Sequence, residues 1–459
     1  MLDQTVAFDV ICEAMKTGGD FAEIFLEDNL TGNYVMRSGV VETVGTGRLY
    51  GAGIRVFSGF QSVYVYTNDT SREGLLTCAR RAASAISGKE FTAPVPLMRQ
   101  DVPSIHVYPQ MPRSVKGQRK IDKMRQAQAE LNKYPDIKQG IVQYLDKEQR
   151  VWVANSEGLF KQDLRVYSRF TVAAVASDGK ENQTGFRGPG GLCGFELFDE
   201  RVDPVSCARE AAEEAIEMLK APFCPAGVMP VVIGNGFGGV IFHEACGHSL
   251  EATSVAVGNS EFCGKLGQPI ASEKVTAIDD GTISNEWGSE NIDDEGTPTT
   301  RLVLIENGIL KNYMIDKLNS RRMNMPPTGS ARRQGYMYAP TSRMRNTYLA
   351  PGDDDNEEMI ATMDYGLYAA QMGGGSVNPA TGEFNFAVSR GYLVKNGKIV
   401  HPVRGASLIG KGGEILPRID RVGKDLALAQ GMCGSISGSV PTDVGQPHIR
   451  ISSITVGGR

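Results

Sequence analysis

The chain has 459 residues, room for two or three domains and a large core. Apolar residues make up 41% and charged residues 22%, an ordinary globular balance, and a net charge of −5 argues against a nucleic-acid-binding surface. The N-terminus carries Asp3 and no basic stretch before an apolar run, so it does not read as a signal peptide, and no run reaches the ~18 apolar residues of a membrane span. Eight scattered cysteines without a C-x-x-C pair favour free thiols in a reducing cytoplasm over a disulfide framework.

Residues 4–17 form the first predicted helix, ending at Gly18-Gly19. Strand-like runs follow at 22–28, 33–39, 40–45, 50–59 and 61–67, and their close spacing predicts an antiparallel meander. An amphipathic helix is expected over 70–87 and, after a proline-rich connector over 92–112, a charged helix over 116–134. Strands are expected near 138–145, 150–155 and 164–177. Asp203-Pro204, an N-cap followed by proline at the first helical position, opens a helix that ends near Ala221. Residues 1–221 therefore read as an N-terminal α/β domain. Beyond it, strand and glycine signals dominate, with runs at 274–278, 301–306, 310–316, 384–388, 391–394 and 449–456. One later helix, from about 354 to 363, keeps its acids at the N-terminal end, where the helix dipole favours them. Residues 222–459 read as a mainly antiparallel, barrel-like β domain carrying a short metal-binding helix, which makes the whole chain α+β.

That helix organises the reading. A β-rich run, Met229–Ile233, enters a turn containing Gly234, Gly236, Gly238 and Gly239, and a short apolar segment then carries His243, Glu244 and His248. Two imidazoles and a carboxylate bordered by apolar residues are what a catalytic zinc site needs. The familiar H-E-x-x-H places its histidines four apart. Here they are five apart, which on a regular helix leaves the rings roughly 140° from each other. A π-type bulge or an early helix end would restore convergence, and Gly247 is where the backbone could relax at least steric cost. A third protein ligand is needed; Cys246, Glu251, Cys263, Asp279, Asp280 and Cys433 are all available, and spacing does not choose between Cys246 and Cys433.

Other stretches carry competing readings. Gly234-x-Gly236-x-x-Gly239 matches the dinucleotide fingerprint, but no βαβ unit continues beyond it, so close strand–helix packing explains the glycines better. Gly373, Gly374 and Gly375 either let backbone approach a substrate peptide, by strand addition, or form an irregular turn. The arginine-rich stretch 318–345 reads as a solvated loop, with a substrate lid or partner contact as the alternative. His106 and His401 read as packing or surface residues, and His448 as a reserve ligand.

Five stretches taken together, HEACGHSLE (243–251), RNTYLAPGD (345–353), QMGGGSV (371–377), VRGASLIG (403–410) and GMCG…VGQPHIRISSITVGG (431–458), resemble the TldD branch of the TldD/PmbA family of zinc metallopeptidases. Weaker matches lie at 22–28 and 51–59. The PmbA branch lacks the H-E-x-x-x-H, so the chain looks like the catalytic branch. The resemblance implies one Zn²⁺ per chain, with His243, His248 and Cys433 as metal ligands and Cys246 outside the set. Glu244, adjacent to a ligand, is then the expected general base on a metal-activated water. The implied activity is hydrolysis of short or unfolded peptides by a dimer, either a homodimer or a heterodimer with a PmbA-type paralogue, whose active site is reached through an internal cavity. Two rival classes remain: a non-enzymatic scaffold with a structural zinc, and an amide hydrolase acting on a modified peptide or a small molecule.

Overall fold

The runs between residues 21 and 67 join into strands longer than their apolar alternation predicts. In the computed structural model, which describes residues 1–86, 92–378 and 381–459, Phe21–Arg37 (β1) and Val40–Ser58 (β2) are each continuous, and Gln61–Thr67 (β3) completes the meander. The polar step in the middle of β1 does not interrupt it because it is paired on both sides. Gly32 lies opposite Thr46 and Asp146, and a Cβ there would collide with the Asp146 carboxylate. Ile137–Asn155 (β4) and Leu159–Ser177 (β5) absorb the next three predicted strands, and the sheet runs β3-β2-β1-β4-β5 with antiparallel neighbours along that path.

Helices cover this sheet. Gln4–Ala14 (α1), capped by Asp3, and Arg72–Ser84 (α2), capped by Ser71, share a core with Ala22, Ile24 and Ile54. Ser87, the last residue of the helix predicted over 70–87, lies outside the described residues. Gly117–Leu131 (α3) and Pro204–Lys220 (α4) pack over Val142, Phe170 and Val172. Asp203 accepts from the amides of Val205 and Ser206, with Pro204 as the first helical residue, as the sequence implies.

From residue 227 onward strands dominate: Gly227–Ile233 (β6), Ala277–Asp280 (β7), Arg301–Glu306 (β8), Asn346–Leu349 (β9), Tyr365–Asn378 (β10), Glu383–Lys395 (β11), Ser407–Lys411 (β12), Ala427–Ser435 (β13), Gly438–Gln446 (β14) and Ile449–Gly457 (β15). One sheet is closed. It runs β10-β6-β15-β12-β11, and β11 pairs back onto β10 to make a five-stranded barrel. The other runs β8-β7-β9-β14-β13. A single apolar core joins them, with Val231, Phe386 and Leu408 from the barrel and Ala277, Leu349 and Val440 from the second sheet. The molecule is α+β with a β-barrel in its C-terminal region, the expected class.

Three expectations change. The run at 310–316 is a strand only at Ile309–Leu310, because Met314 gives its backbone to the histidine segment, accepting from Ala252 N at 2.8 Å and donating to Leu250 O at 3.1 Å. The late helix shrinks to Asn356–Ala361, capped by Asp355. The stretch 318–345 is not a solvated loop: Arg332, Arg333, Arg343 and Arg345 are buried. They are buried because acceptors await them, Arg333 on Glu23 at 3.0 Å and Arg345 on Glu290 at 2.5 Å. Among the described residues no helix is long and apolar enough to cross a membrane.

Candidate metal centre

After β6 the chain must turn inside packed strands. Gly236 takes a φ of +65°, and a Cβ at Gly239 would strike the Gly445 backbone, so the glycine run serves close packing. A helical turn over Val240–Phe242 then widens into a π turn over His243–Gly247. The His248 amide donates to the His243 carbonyl, an i→i+5 bond that brings residues five apart onto one side. The two imidazoles meet edge to face, with centroids 5.2 Å apart and planes at 83°. Gly247 itself has an ordinary helical φ of −57°; its missing side chain leaves room for Met344 Sδ rather than for backbone relaxation.

Cys433 completes the cluster from β13. Its Sγ lies 3.2 Å from His243 Nε2 and 3.3 Å from His248 Nε2, and one ligand-type atom from each of the three buried residues falls within 4.8 Å of the others. Around a tetrahedral zinc with Zn–N near 2.0–2.1 Å and Zn–S near 2.3 Å, nitrogen and sulfur ligands stand about 3.5 Å apart, so the donor set fits such an ion. Burial would raise the Cys433 thiol, but the two adjacent imidazoles hold it well below its ordinary value. Burial would likewise lower His248, and Glu251 and Cys433 push it well above instead. A thiolate facing two imidazoles is a donor group for a divalent cation of borderline softness.

The neighbouring carboxylates divide. Glu251 lies on the far ring nitrogen, with Oε1 3.2 Å from His248 Nδ1, where it orients the imidazole rather than joining the three donors. Glu244 reaches within 3.6 Å of His248 Nε2, and its side chain is 29% exposed, which sets it at the open edge of the cluster. The remaining candidates are engaged elsewhere. Cys246 is buried beside Gly412, Cys263 donates to Val255 O, Asp279 accepts from Arg345 N and Thr347 Oγ1, and Asp280 accepts from Thr282. His448 is held by Asp425 at 2.7 Å and Tyr368 at 3.0 Å, and His401 rests on Pro402 O. His106 accepts from Asn285 N at 3.1 Å, and burial pushes it down to about 4.

Gly373, Gly374 and Gly375 lie in a bulged part of β10, where the pairing with β11 slips between Met372 and Gly375, and not in a turn. Among the described residues, packing demands only Gly375, where a Cβ would strike Phe386, and nothing lies against Gly374.

One residue escaped the sequence. Arg343, with no exposed surface, donates to Cys433 O at 2.5 Å, Ser437 Oγ at 2.9 Å and Gly438 O at 2.9 Å, and its Nε lies 3.8 Å from Glu251 Oε1. One guanidinium thus holds the turn that bears Cys433 and stands beside the carboxylate that orients His248. Its acceptors are mostly main-chain carbonyls far along the chain, which leave no residue-type signal.

The chain resembles known proteins along nearly its whole length. The family models for PmbA/TldA metallopeptidase domain 1, central domain and C-terminal domain match residues 22–86, 111–219 and 226–458. A metalloprotease TldD homolog of Haemophilus influenzae is 35% identical, covering 96% of this chain and 93% of the relative. A zinc metalloprotease TldD homolog of Saccharolobus solfataricus is 30% identical over 74% of this chain and 76% of its own. Among solved structures, TldE from Thermococcus kodakarensis superposes with a TM-score of 0.75 at 19% identity, covering 99% of this chain and 100% of that one. A Thermotoga maritima protein does so at 0.78 and 22%, with the same coverage. The matched domains and the near-full-length relatives establish that the chain belongs to the TldD/PmbA family of metallopeptidases.

Proposed function

We propose that the protein is a zinc-dependent peptidase that hydrolyses short or unfolded peptides at the His243–His248–Cys433 centre. The observation that carries this reading is the convergence of two imidazoles and a thiolate on one buried point with Glu244 at its open edge. The names of the relatives support the class, and one of them names zinc. His243, His248 and Cys433 would hold a zinc ion, whose chemistry there would be that of a Lewis acid able to bring the pKa of water down towards ~7. Three protein donors match an open catalytic site better than a closed structural one, which weighs against the scaffold.

The chain's own residues supply the rest. Glu244 takes the proton of the attacking water and delivers it to the leaving amine. Glu251 holds His248 by Nδ1 and so leaves Nε2 free as a donor. Arg343 fixes the Cys433 backbone. The open flank at Gly374 offers strand backbone to a peptide, the role expected of Gly373–Gly375. One zinc per chain, a dimer with itself or with a PmbA-type paralogue, and a cytoplasmic location belong to the same proposal.

Metal analysis and peptide digestion of the wild type, Cys433→Ser, Cys246→Ser and Glu244→Gln test it. About one zinc per chain should be lost in Cys433→Ser and kept in Cys246→Ser. Glu244→Gln should keep the metal and lose about 10²–10⁴-fold in hydrolysis. Unchanged turnover there removes the general base. A fourth protein ligand would favour the scaffold, and cleavage confined to small-molecule amides the amide hydrolase.

A further inference from the structure

Outside the candidate metal centre the described residues line an open-mouthed cavity of about 490 Å³, within the usual size of a ligand pocket. Its floor is one face of the N-terminal sheet, where the antiparallel register sets Lys147 of β4 beside Tyr167 of β5 and Leu145 beside Arg169. Its roof comes from the C-terminal half, with Trp287, Tyr338 and, from β13, Met432. Met432 and Cys433 are consecutive and face opposite ways: Cys433 is 3% exposed against the histidines, and Met432 is 51% exposed and lines the cavity. The cavity therefore backs onto the strand of the metal centre without sharing its donors.

Lys147 is the unusual group. Its ammonium lies 5.7 Å from the Tyr167 ring centroid and has no hydrogen bond or ion pair among the described residues. Other inward-facing lysines do have partners, Lys120 on Asp146 at 2.6 Å and Lys161 on Gly296 O at 2.9 Å. Asp146, the acid among the described lining residues, is thereby already engaged. Burial lowers the Lys147 pKa, with Arg165 adding to the shift and the more distant carboxylates of Glu27, Asp294 and Glu290 opposing it. Beside it, Arg169 lies 5.5 Å from the Trp287 ring and, among the described residues, donates only to neutral carbonyls, Gly188 O at 3.0 Å and Gln430 O at 2.9 Å. Two cations between aromatic and thioether walls, with no anion paired to either among the described residues, complement a ligand that is negative at one end and apolar at the other. A half-buried ammonium that no carboxylate pairs among the described residues gives up solvation without an ion pair to replace it, and such a ligand would offset that cost.

We propose that this cavity binds an apolar carboxylate, with its acid on Lys147 and Arg169 and its hydrocarbon against Tyr167, Trp287 and Met432. Two sources share this chemistry: the C-terminal residue of a peptide, and a free aromatic or aliphatic acid. The proposal goes beyond the peptidase reading and stands whether or not the chain hydrolyses peptides.

Calorimetric titration of the metal-loaded protein with N-acetyl-phenylalanine, N-acetyl-phenylalaninamide and 3-phenylpropionate tests it. Both acids should bind saturably, and the amide about tenfold or more weakly, because it lacks the charge-assisted hydrogen bond. Lys147→Met should cut that preference severalfold, leaving what Arg169 supplies. Tighter binding of N-acetyl-phenylalanine than of 3-phenylpropionate assigns the peptide terminus; equal binding assigns the free acid. Absence of saturable binding, or equal affinity for acid and amide in the wild type, overturns the proposal without reliance on any variant. An acid preference left undiminished by Lys147→Met overturns it as well, since that is what carboxylate ligation at the metal centre would give.

Discussion

Two buried polar regions of this molecule are built on opposite terms. Between the N-terminal sheet and the 290–345 stretch, Arg55 pairs with Glu23 and Glu295, Arg165 with Asp294 and Glu290, Arg333 with Glu23, and Arg345 with Glu290. Each of these cations meets an anion from elsewhere in the same chain. At the candidate metal centre the donors have mainly one another: a thiol between two imidazoles, and a His243 Nδ1 with no hydrogen-bond partner among the described residues. Burial is common to both and so does not separate them. The charge balance does, because the first region closes it internally and the second gathers donors that call for a cation from outside. A buried ionisable cluster is a sign of chemistry where that balance is left open.

The largest expected effect comes from breaking the closed region. Burial would raise the Glu290 acid, but Arg165, Arg332 and Arg345 around it hold it down to about 2. Glu290→Ala leaves three guanidinium groups short of an anion and should cost about 3–5 kcal/mol in urea unfolding, with metal content unchanged under native conditions. A loss below about 1 kcal/mol, the scale of an exposed pair, would show that the network is not balanced as described. The counterpart is Arg343→Lys, which keeps the charge but cannot serve three acceptors from one planar fork. Metal affinity, measured by chelator competition, should fall about 10–100-fold. An unchanged affinity would reduce Arg343 to a packing residue.

The same contrast explains what the sequence made legible. The π turn could be foreseen because five-residue spacing and the need for convergence sit within one short stretch, and the Asp203-Pro204 helix start is equally local. Strand lengths were not legible: the polar middle of β1 looks like a turn until Asp146 is set across from Gly32. The burial of Arg333 was hidden for the same reason, since Glu23 lies 310 residues away. Spacing left Cys246 and Cys433 tied, although one adjoins the histidines in sequence and the other is 190 residues from His243. Only the family resemblance favoured Cys433, and it is Cys433 that the fold brings to the histidines.

Between the two extremes lies Asp443, whose balance is closed by a proton. Burial first, and the neighbouring Glu286 second, push its acid to about 8, while it accepts from Trp287 N at 3.1 Å. A folded value above the unfolded ~3.9 means the native chain binds the extra proton between about pH 4 and pH 8. The stabilisation is therefore full below about pH 4 and is lost as pH rises through about 8. Asp443→Asn should flatten this slope, by up to about 1.4 kcal/mol per pH unit, in thermal unfolding followed from pH 5 to 9. Identical slopes in both proteins would mean that the acid is ionised in the folded state.

The smallest effect on stability should come from Gly374, and that is its use. A Cβ there meets open space, whereas one at Gly375 strikes Phe386. Gly374→Ala should therefore shift stability by no more than about 0.5–1 kcal/mol in either direction, and Gly375→Ala should lose about 1–3 kcal/mol through overpacking. Activity is expected to run the other way if peptide backbone pairs with this bulge. A methyl at Gly374 would then stand where the peptide approaches, raising KM with kcat little changed, because the interaction lost is the same in the ground and transition states. An unaltered KM in Gly374→Ala, in a protein that still digests peptides, would remove the substrate role from the glycine run and leave Gly375 as a packing requirement of the barrel.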